Sequence, residues 1–493
     1  MVETVQKASV RARDVQGKRS PAARVAVALS GLLLAAACTV GPEYRPPAVP
    51  IPAWRSAPPM EASLADLAWW ELFRDSALRD LIQAALAANG DLRVAVARVA
   101  EARALAAGAR AAQFPQLSGS LSYANQRYSG HRFPPIPAGL DLQTDDYLGH
   151  FDLTFELDLW GRLRRATEAA RADLLTSEEN RSTVVMTLVS DVAATYFSLL
   201  ALDREAEIAA RTLDSRRTSL ELVRHRFEEG LTSELDVRRA EGELAAAAAI
   251  VPEVESRQAQ AENRLSILVG QNPGPVSRGA PLDMQRLPPA VPAGLPAALL
   301  ERRPDLQAAA SHLAATTARI GEARAAFFPQ ITLTGLFGVE SIDLAHAVSP
   351  SSRIWQVGPG LTVPIFNAGR LQANLNATEA REQQALAQYE QAVRQAFQDV
   401  EDALAVHQAV GRIRQERERQ FVAAGAALQL AELRYENGLI GYLDVLDAQR
   451  QLFIAETNLA AIIGDQLIAV VRLYKALGGG WNGSAPDGKD ASR

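Results

Sequence analysis

Apolar positions change period several times along this chain, and each change marks an element. Leu117, Gly119, Leu121 and Tyr123 alternate with Ser118, Ser120 and Ser122, and Phe151, Leu153, Phe155, Leu157 and Leu159 alternate with Asp152, Thr154, Glu156 and Asp158. A period of two places one set on each face of a β-strand. Between the two runs, residues 130–139 carry Pro134, Pro135 and Pro137 and read as a loop. The same pattern returns as Ile331, Leu333, Gly335 and Phe337, then Trp355, Val357, Leu361, Val363 and Ile365. An alanine-rich helix is predicted ahead of the first pair, from about Asp91 to Gln113, with Pro115 ending it. Helical pattern starts earlier, near Leu64, and takes in Trp69, Trp70 and Phe73.

After each second strand the period becomes helical and stays so. Residues 162–229 contain no Pro or Gly, and residues 370–437 are interrupted only by Gly411 and Gly425. Each 68-residue stretch would reach about 100 Å as one helix. Helices of that length imply coiled-coil packing or a helical tube. Ala169, Ala170, Ala193, Ala194, Ala209 and Ala210 are small enough for close helix approach. Each stretch ends at a glycine, Gly230 or Gly438, and helical pattern resumes at once, to about Val269 and Leu477. Pro252 is expected to kink or divide the first return helix.

These events occur twice in one order. Arg226-Phe227-Glu228-Glu229-Gly230-Leu231 is matched 208 residues later by Arg434-Tyr435-Glu436-Asn437-Gly438-Leu439. Leu235-Asp236-Val237 matches Leu443-Asp444-Val445, and Gly161-Arg162 and Gly270 match Gly369-Arg370 and Gly478, all at 208. Upstream, Asp91-Leu92 matches Asp305-Leu306 and Phe114-Pro115-Gln116 matches Phe328-Pro329-Gln330, both at 214. Landmarks in register over such a distance identify a duplication of one structural unit. The six extra residues of the first copy lie between Gln116 and Gly161, where a loop varies in length.

The strand alternation fits two environments. One is a soluble sheet with a single face on a core. The other is a membrane barrel with its apolar face toward lipid and its polar face toward water. Four strands cannot close a barrel, since about eight is the working minimum. If the strands span a membrane, several chains must share one barrel.

The N-terminus bears on that choice. Arg11, Arg13, Lys18, Arg19 and Arg24 precede an apolar segment, residues 25–37, which ends in small residues and is read as a secretion signal. Cys38, the single cysteine, follows directly and resembles the lipid-modified first residue of bacterial lipoproteins. Residues 39–60 are proline-rich and read as an extended strap. No stretch beyond residue 40 approaches the roughly 20 uninterrupted apolar residues of a spanning helix. Removing residues 1–37 takes away six Lys/Arg and two Asp/Glu, so the formal charge falls from −6 to −10. A mature chain this acidic is not a general nucleic-acid binder.

Catalytic chemistry finds no foothold. His131, His150, His225, His312, His346 and His407 fall in no HExxH or paired-ligand spacing, and one Cys cannot build a structural zinc site. Phosphate-cradling and nucleophile-elbow motifs are absent. Neither a metal nor a cofactor nor an enzymatic activity is expected.

Together the residues resemble the outer-membrane factors of tripartite bacterial efflux systems, in the lipoprotein branch that serves resistance-nodulation-division pumps. The resemblance rests on Cys38-Thr39-Val40-Gly41-Pro42-Glu43-Tyr44, Phe-Pro-Gln before a strand in both units, and the two Gly-Leu tips. It also rests on Leu443-Asp444-Val445-Leu446-Asp447-Ala448-Gln449-Arg450 and on Tyr474-Lys475-Ala476-Leu477-Gly478-Gly479-Gly480-Trp481. It implies a mixed α and β fold: a homotrimer whose four strands per chain form an outer-membrane β-barrel, continued by a periplasmic α-helical barrel of coiled-coil hairpins. The implied function is a passive exit duct that docks to a periplasmic adaptor and a proton-driven inner-membrane pump, with outer-membrane lipid around it. Gly230, Leu231, Thr232, Gly438, Leu439 and Ile440 would meet the adaptor. Leu428 and Glu432 match the family's periplasmic constriction, with Arg224 as a possible tether to Glu432. Two other readings compete, the exit duct of a one-step protein secretion system and a periplasmic coiled-coil scaffold without a pore.

The chain divides accordingly into a signal peptide (1–37), a lipidated strap and equatorial segment (38–90), repeat 1 (91–270), a linker (271–300), repeat 2 (301–478) and a mobile tail (479–493).

Overall fold

The computed structural model describes residues 39–55, 63–67, 75–131, 133, 135, 137, 139, 141–286 and 292–480. The secretion segment, Cys38, Trp69, Trp70, Phe73, Pro134 and the tail from Trp481 lie outside the described residues.

Helices α1 (Ser76–Ala88) and α2 (Gly90–Ala111) lead into strands β1 (Gln116–Arg127) and β2 (Gln143–Leu157). The long helix α3 (Arg162–Glu228) and its return α4 (Glu234–Leu268) complete the first repeat. The second runs through α5 (Pro304–Ala325), β3 (Gln330–Ser341), β4 (Arg353–Thr362), α6 (Arg370–Glu436) and α7 (Tyr442–Ala476). Both ends of α5 lie 214 residues beyond those of α2, and α6 and α7 lie 208 beyond α3 and α4 at both ends. Pro252 does not divide α4, which is continuous. An interior proline costs roughly 3 kcal/mol, and Ala247 and Val254, on either side of it, are buried.

Two compact units emerge, and each draws on both repeats. The first gathers residues up to 45, 102–173 and 312–385, and the second gathers 46–101, 174–311 and 386 onward.

The first unit is built on one antiparallel sheet in the order β1-β2-β3-β4. The apolar face of its central part packs on no core among the described residues. Leu121 is 91% exposed, Trp355 75%, Val357 67% and Phe337 61%. A soluble sheet would cover these side chains, so of the two environments the alternation allows, the lipid-facing one fits. Below the strands, Trp160 stacks on Phe328 with ring centroids 4.8 Å apart and donates to the Pro329 carbonyl at 2.8 Å. Asp158 caps α3 by accepting from the Leu163 and Arg164 amides, and Arg162 pairs with Glu156 at 2.6 Å. The strap enters here, with the Val40 amide donating to the Trp160 carbonyl. At Gly321 a side chain would stand 2.9 Å from the Val40 carbonyl oxygen, so that crossing requires glycine.

The second unit is a helical core. Leu78, Ile82, Val192, Tyr196, Leu199, Leu265, Val400 and Leu473 are fully buried together. Windows within α3 and α7 are apolar enough by composition to span a membrane, but much of each is buried within the protein. At the edge of this core Asp75 organises the proline-rich linker. Its carboxylate caps α1 through the Leu78 amide and accepts from the Tyr196 hydroxyl, the Ala280 amide and the Gln285 side chain, at 2.7–3.1 Å. Burial, with Asp75 beside it, pushes the Tyr196 hydroxyl pKa well up, so it stays a donor.

Asp75→Ala would strand several buried donors at once. Thermal or denaturant unfolding of the detergent-solubilised protein is expected to show a loss of about 3 kcal/mol, with Asp75→Asn losing less.

Candidate functional site

Two features of this fold can act on something outside the chain: the strand segment and the hairpin tips. At the tips, α3 and α6 end alike. The Gly230 amide donates to the Phe227 carbonyl and the Leu231 amide to the Arg226 carbonyl; Gly438 and Leu439 repeat this with Tyr435 and Arg434. Both glycines have φ near +70°, which other residues resist. The chain then reverses, exposing Leu231 and Leu439, each 67% accessible.

Beyond the glycines the tips diverge. The Ser233 hydroxyl accepts from the Asp236 amide, while the Asp236 carboxylate accepts from the Ser233 amide and from the Thr232 and Ser233 hydroxyls. Burial alone would raise the Asp236 pKa, but the hydrogen bonds from Ser233 and Thr232 outweigh it and hold the carboxyl below its ordinary value. At the second tip Gly441 has no side chain to cap with, and only the Asp444 carboxylate closes the turn, at 3.2 Å from the Gly441 amide. Ile440 leans partly buried on the tip core rather than standing out beside Leu439.

That core joins the two hairpins through Leu220, Val223, Val237, Tyr435, Tyr442, Val445 and Leu446. Arg226 reaches across it, with its guanidinium 4.5 Å from the Tyr435 ring centroid and donating to the Tyr435 carbonyl at 3.2 Å. Further from the tips, Glu243 pairs with both Arg216 and Arg450, and Arg211 pairs with Glu456 at 2.7 Å.

Within one chain Arg224 and Glu432 do not pair with each other. Arg224 pairs with Glu241 of α4 at 2.8 Å, not with Glu432. The return helix supplies a nearer carboxylate, which the 208-residue spacing does not reveal. Leu428 packs against the tip core whereas Glu432 is exposed, so one helical turn separates two environments. Arg226 and Tyr435 make a contact between the hairpins that the sequence reading does not include. Their signal was present in the repeated tips, where each Arg precedes an aromatic residue. Among the described residues no group of three His, Cys, Asp or Glu comes together as a metal site.

A strand segment with exposed apolar side chains, followed in each repeat by a 67-residue helix that reverses at a glycine tip, is the architecture of an outer-membrane channel protein. The chain belongs to the outer membrane efflux protein family, whose profile matches residues 81–271 and 295–479. It is 38% identical over 460 residues to the solvent efflux pump outer membrane protein SrpC of Pseudomonas putida, covering 92% of this chain and 97% of that protein. It is 34% identical over 461 residues to the probable outer membrane lipoprotein SilC of Salmonella typhimurium, covering 92% and 98%. The solved outer-membrane channel OprN superposes with a TM-score of 0.83 at 33% identity, covering 90% of this chain and all of that one. The protein is thus an efflux channel of the outer membrane that extends into the periplasm.

Ser233→Ala is expected to cost the first tip about 1 kcal/mol, or roughly fivefold faster amide exchange in the first turn of α4, leaving α7 unchanged. Because the folded Asp236 pKa is lowered, its cap is intact above the ordinary carboxylate range. It is lost as pH falls through the folded value. Exchange measured by mass spectrometry along an acid series checks both.

Proposed function

We propose that three copies of this chain form a passive duct for solutes driven across the envelope by a proton-powered inner-membrane pump, reached through a periplasmic adaptor. The observation that carries this reading is the sheet itself. Among the described residues its four strands leave β1 and β4 each with an unpaired edge and expose apolar side chains. Three such sheets supply twelve strands, enough to close around a water-filled lumen. Cys38 would carry the lipid, as the name of SilC supports. The domain division drawn from the sequence stands as part of this proposal.

The adaptor contacts are assigned to Gly230, Leu231 and Thr232 on one hairpin and Gly438, Leu439 and Ile440 on the other. Leu231 and Leu439 offer apolar side chains, while the capped and uncapped turns behind them make the two kinds of tip unequal. A trimer presents these in alternation. The cargo follows the pump rather than the duct, since a conduit discriminates by size and charge; the name of SrpC supports small organic solvents as one class. The protein catalyses no reaction under this reading.

A photo-crosslinking residue at position 231 or 439 is expected to capture one periplasmic adaptor in intact cells, and capture of none removes the tips from docking. Glu432, exposed near the tip, is kept as a constriction candidate with Leu428. Glu432→Ala is expected to raise single-channel conductance of the purified oligomer in planar bilayers, and an unchanged conductance removes it from the constriction.

A further inference from the structure

The duplication is a numerical operator, and the observed sheet shows that it preserves strand register. Within the first repeat, Gln116 pairs with Thr154. Adding 214 to the β1 number and 208 to the β2 number gives Gln330 and Thr362, the pair observed between β3 and β4. The pair Ser122 and Leu148 likewise becomes Leu336 and Gln356, again as observed. One pairing, β2 with β3, crosses from the first repeat to the second, and it joins Tyr147 to Ser341 and Leu157 to Ile331. The operator carries that junction onto the two edges left open, β4 of one copy and β1 of the next.

We propose that these edges join copies of this chain in one register, Thr362 opposite the partner's Ser120, Leu361 opposite the partner's Leu121 and Gln356 opposite the partner's Gln126. The proposal rests on the closed ring of copies described above and adds the pairing within it. Parity supports it. Leu361 meets leucine and Thr362 meets serine, so apolar and polar side chains stay on their own faces. A slip of one residue would set Thr362 against leucine or glycine and invert the faces of one strand.

The same operator shows that the junction between copies differs from the one inside the chain. The Trp160–Phe328 stack becomes Ala368 beside the partner's Phe114, and Phe114 is 55% exposed in the single chain. The Arg319–Asp173 ion pair becomes the partner's Leu105 against Arg381. Neither the ring stack nor the charge pair is reproduced, so the junction between copies depends on its strand pairing more than the internal one does.

Serines at positions 118, 120 and 122 allow a test with matched chemistry. Thr362→Cys is combined in the full chain with Ser118→Cys, Ser120→Cys or Ser122→Cys, expressed in outer membranes, oxidised, and resolved on denaturing gels without reductant. Directly opposed residues lie about 4.5–5.5 Å apart, within disulfide reach. A slip of two residues adds about 6.7 Å along the strand and removes it. Bridged dimers and trimers are expected for the Ser120 combination, with the other two and the single variants remaining monomeric. Dominant bridging through position 118 or 122, or no bridging while oligomers persist before denaturation, overturns the register and leaves the ring standing. Monomers alone in native extracts of the unsubstituted protein overturn both. Gln356→Cys with Gln126→Cys repeats the test should the first combination fail to assemble.

Discussion

An unpaired strand edge has nothing to bond with in hydrocarbon, and each unsatisfied amide or carbonyl there costs several kcal/mol. That constraint governs this chain. Its sheet has four strands in sequence order, with β1 and β4 at the ends, and its apolar face stands uncovered. A soluble protein would cover both edge and face with its own elements. Here the helices that could do so are committed elsewhere, because α3 and α6 begin a few residues past the strands and run unbroken for 67 residues each. Strand demand and helix length together leave copies of the same sheet as the natural completion.

The junction below the strands shows how abruptly the chain changes environment. Within a few residues of β2, Trp160 stacks on Phe328, Asp158 caps a helix and Arg162 pairs with Glu156. Each of these fixes direction and contributes little net energy alone. In the second repeat the position matching Glu156 is Pro364 and that matching Trp160 is Ala368, so the two strand-to-helix turns are not equally braced. The hairpin tips repeat the theme. Both close on a left-handed glycine, yet only the first has a side-chain cap with reciprocal bonds. Duplication preserved the backbone path, and divergence acted on the side chains that stiffen it.

Much of this was legible in residue order because the relevant forces are local. Alternation at Leu117–Tyr123 and Phe151–Leu157 reports the pleat, though its continuation to Leu159 lies past the strand end; the long proline-free runs report helix, and Gly230 and Gly438 report reversal. The spacings of 208 and 214 carried boundaries from one repeat to the other, and through the matching registers they carry strand partners as well. Pro252 does not divide α4, because a proline inside a helix removes one amide donor without ending the hydrogen-bonded run around it.

What the order of residues could not supply is which side chains meet when helices of this length lie side by side. Residue order offers Arg224 several carboxylates as partners, and packing places it on Glu241. Leu428 and Glu432 share a stripe by periodicity, yet Leu428 packs partly buried on the tip core while Glu432 is exposed. Asp75 draws no notice in the sequence, yet the fold brings Tyr196, Ala280 and Gln285 to its carboxylate across more than a hundred residues. The sequence by itself determined the elements, their lengths and their duplication, because hydrophobic period and glycine conformation act over a few residues. The partners of each charged and aromatic side chain were decided only by tertiary structure, because desolvation and hydrogen-bond geometry depend on neighbours that the chain brings in from far away.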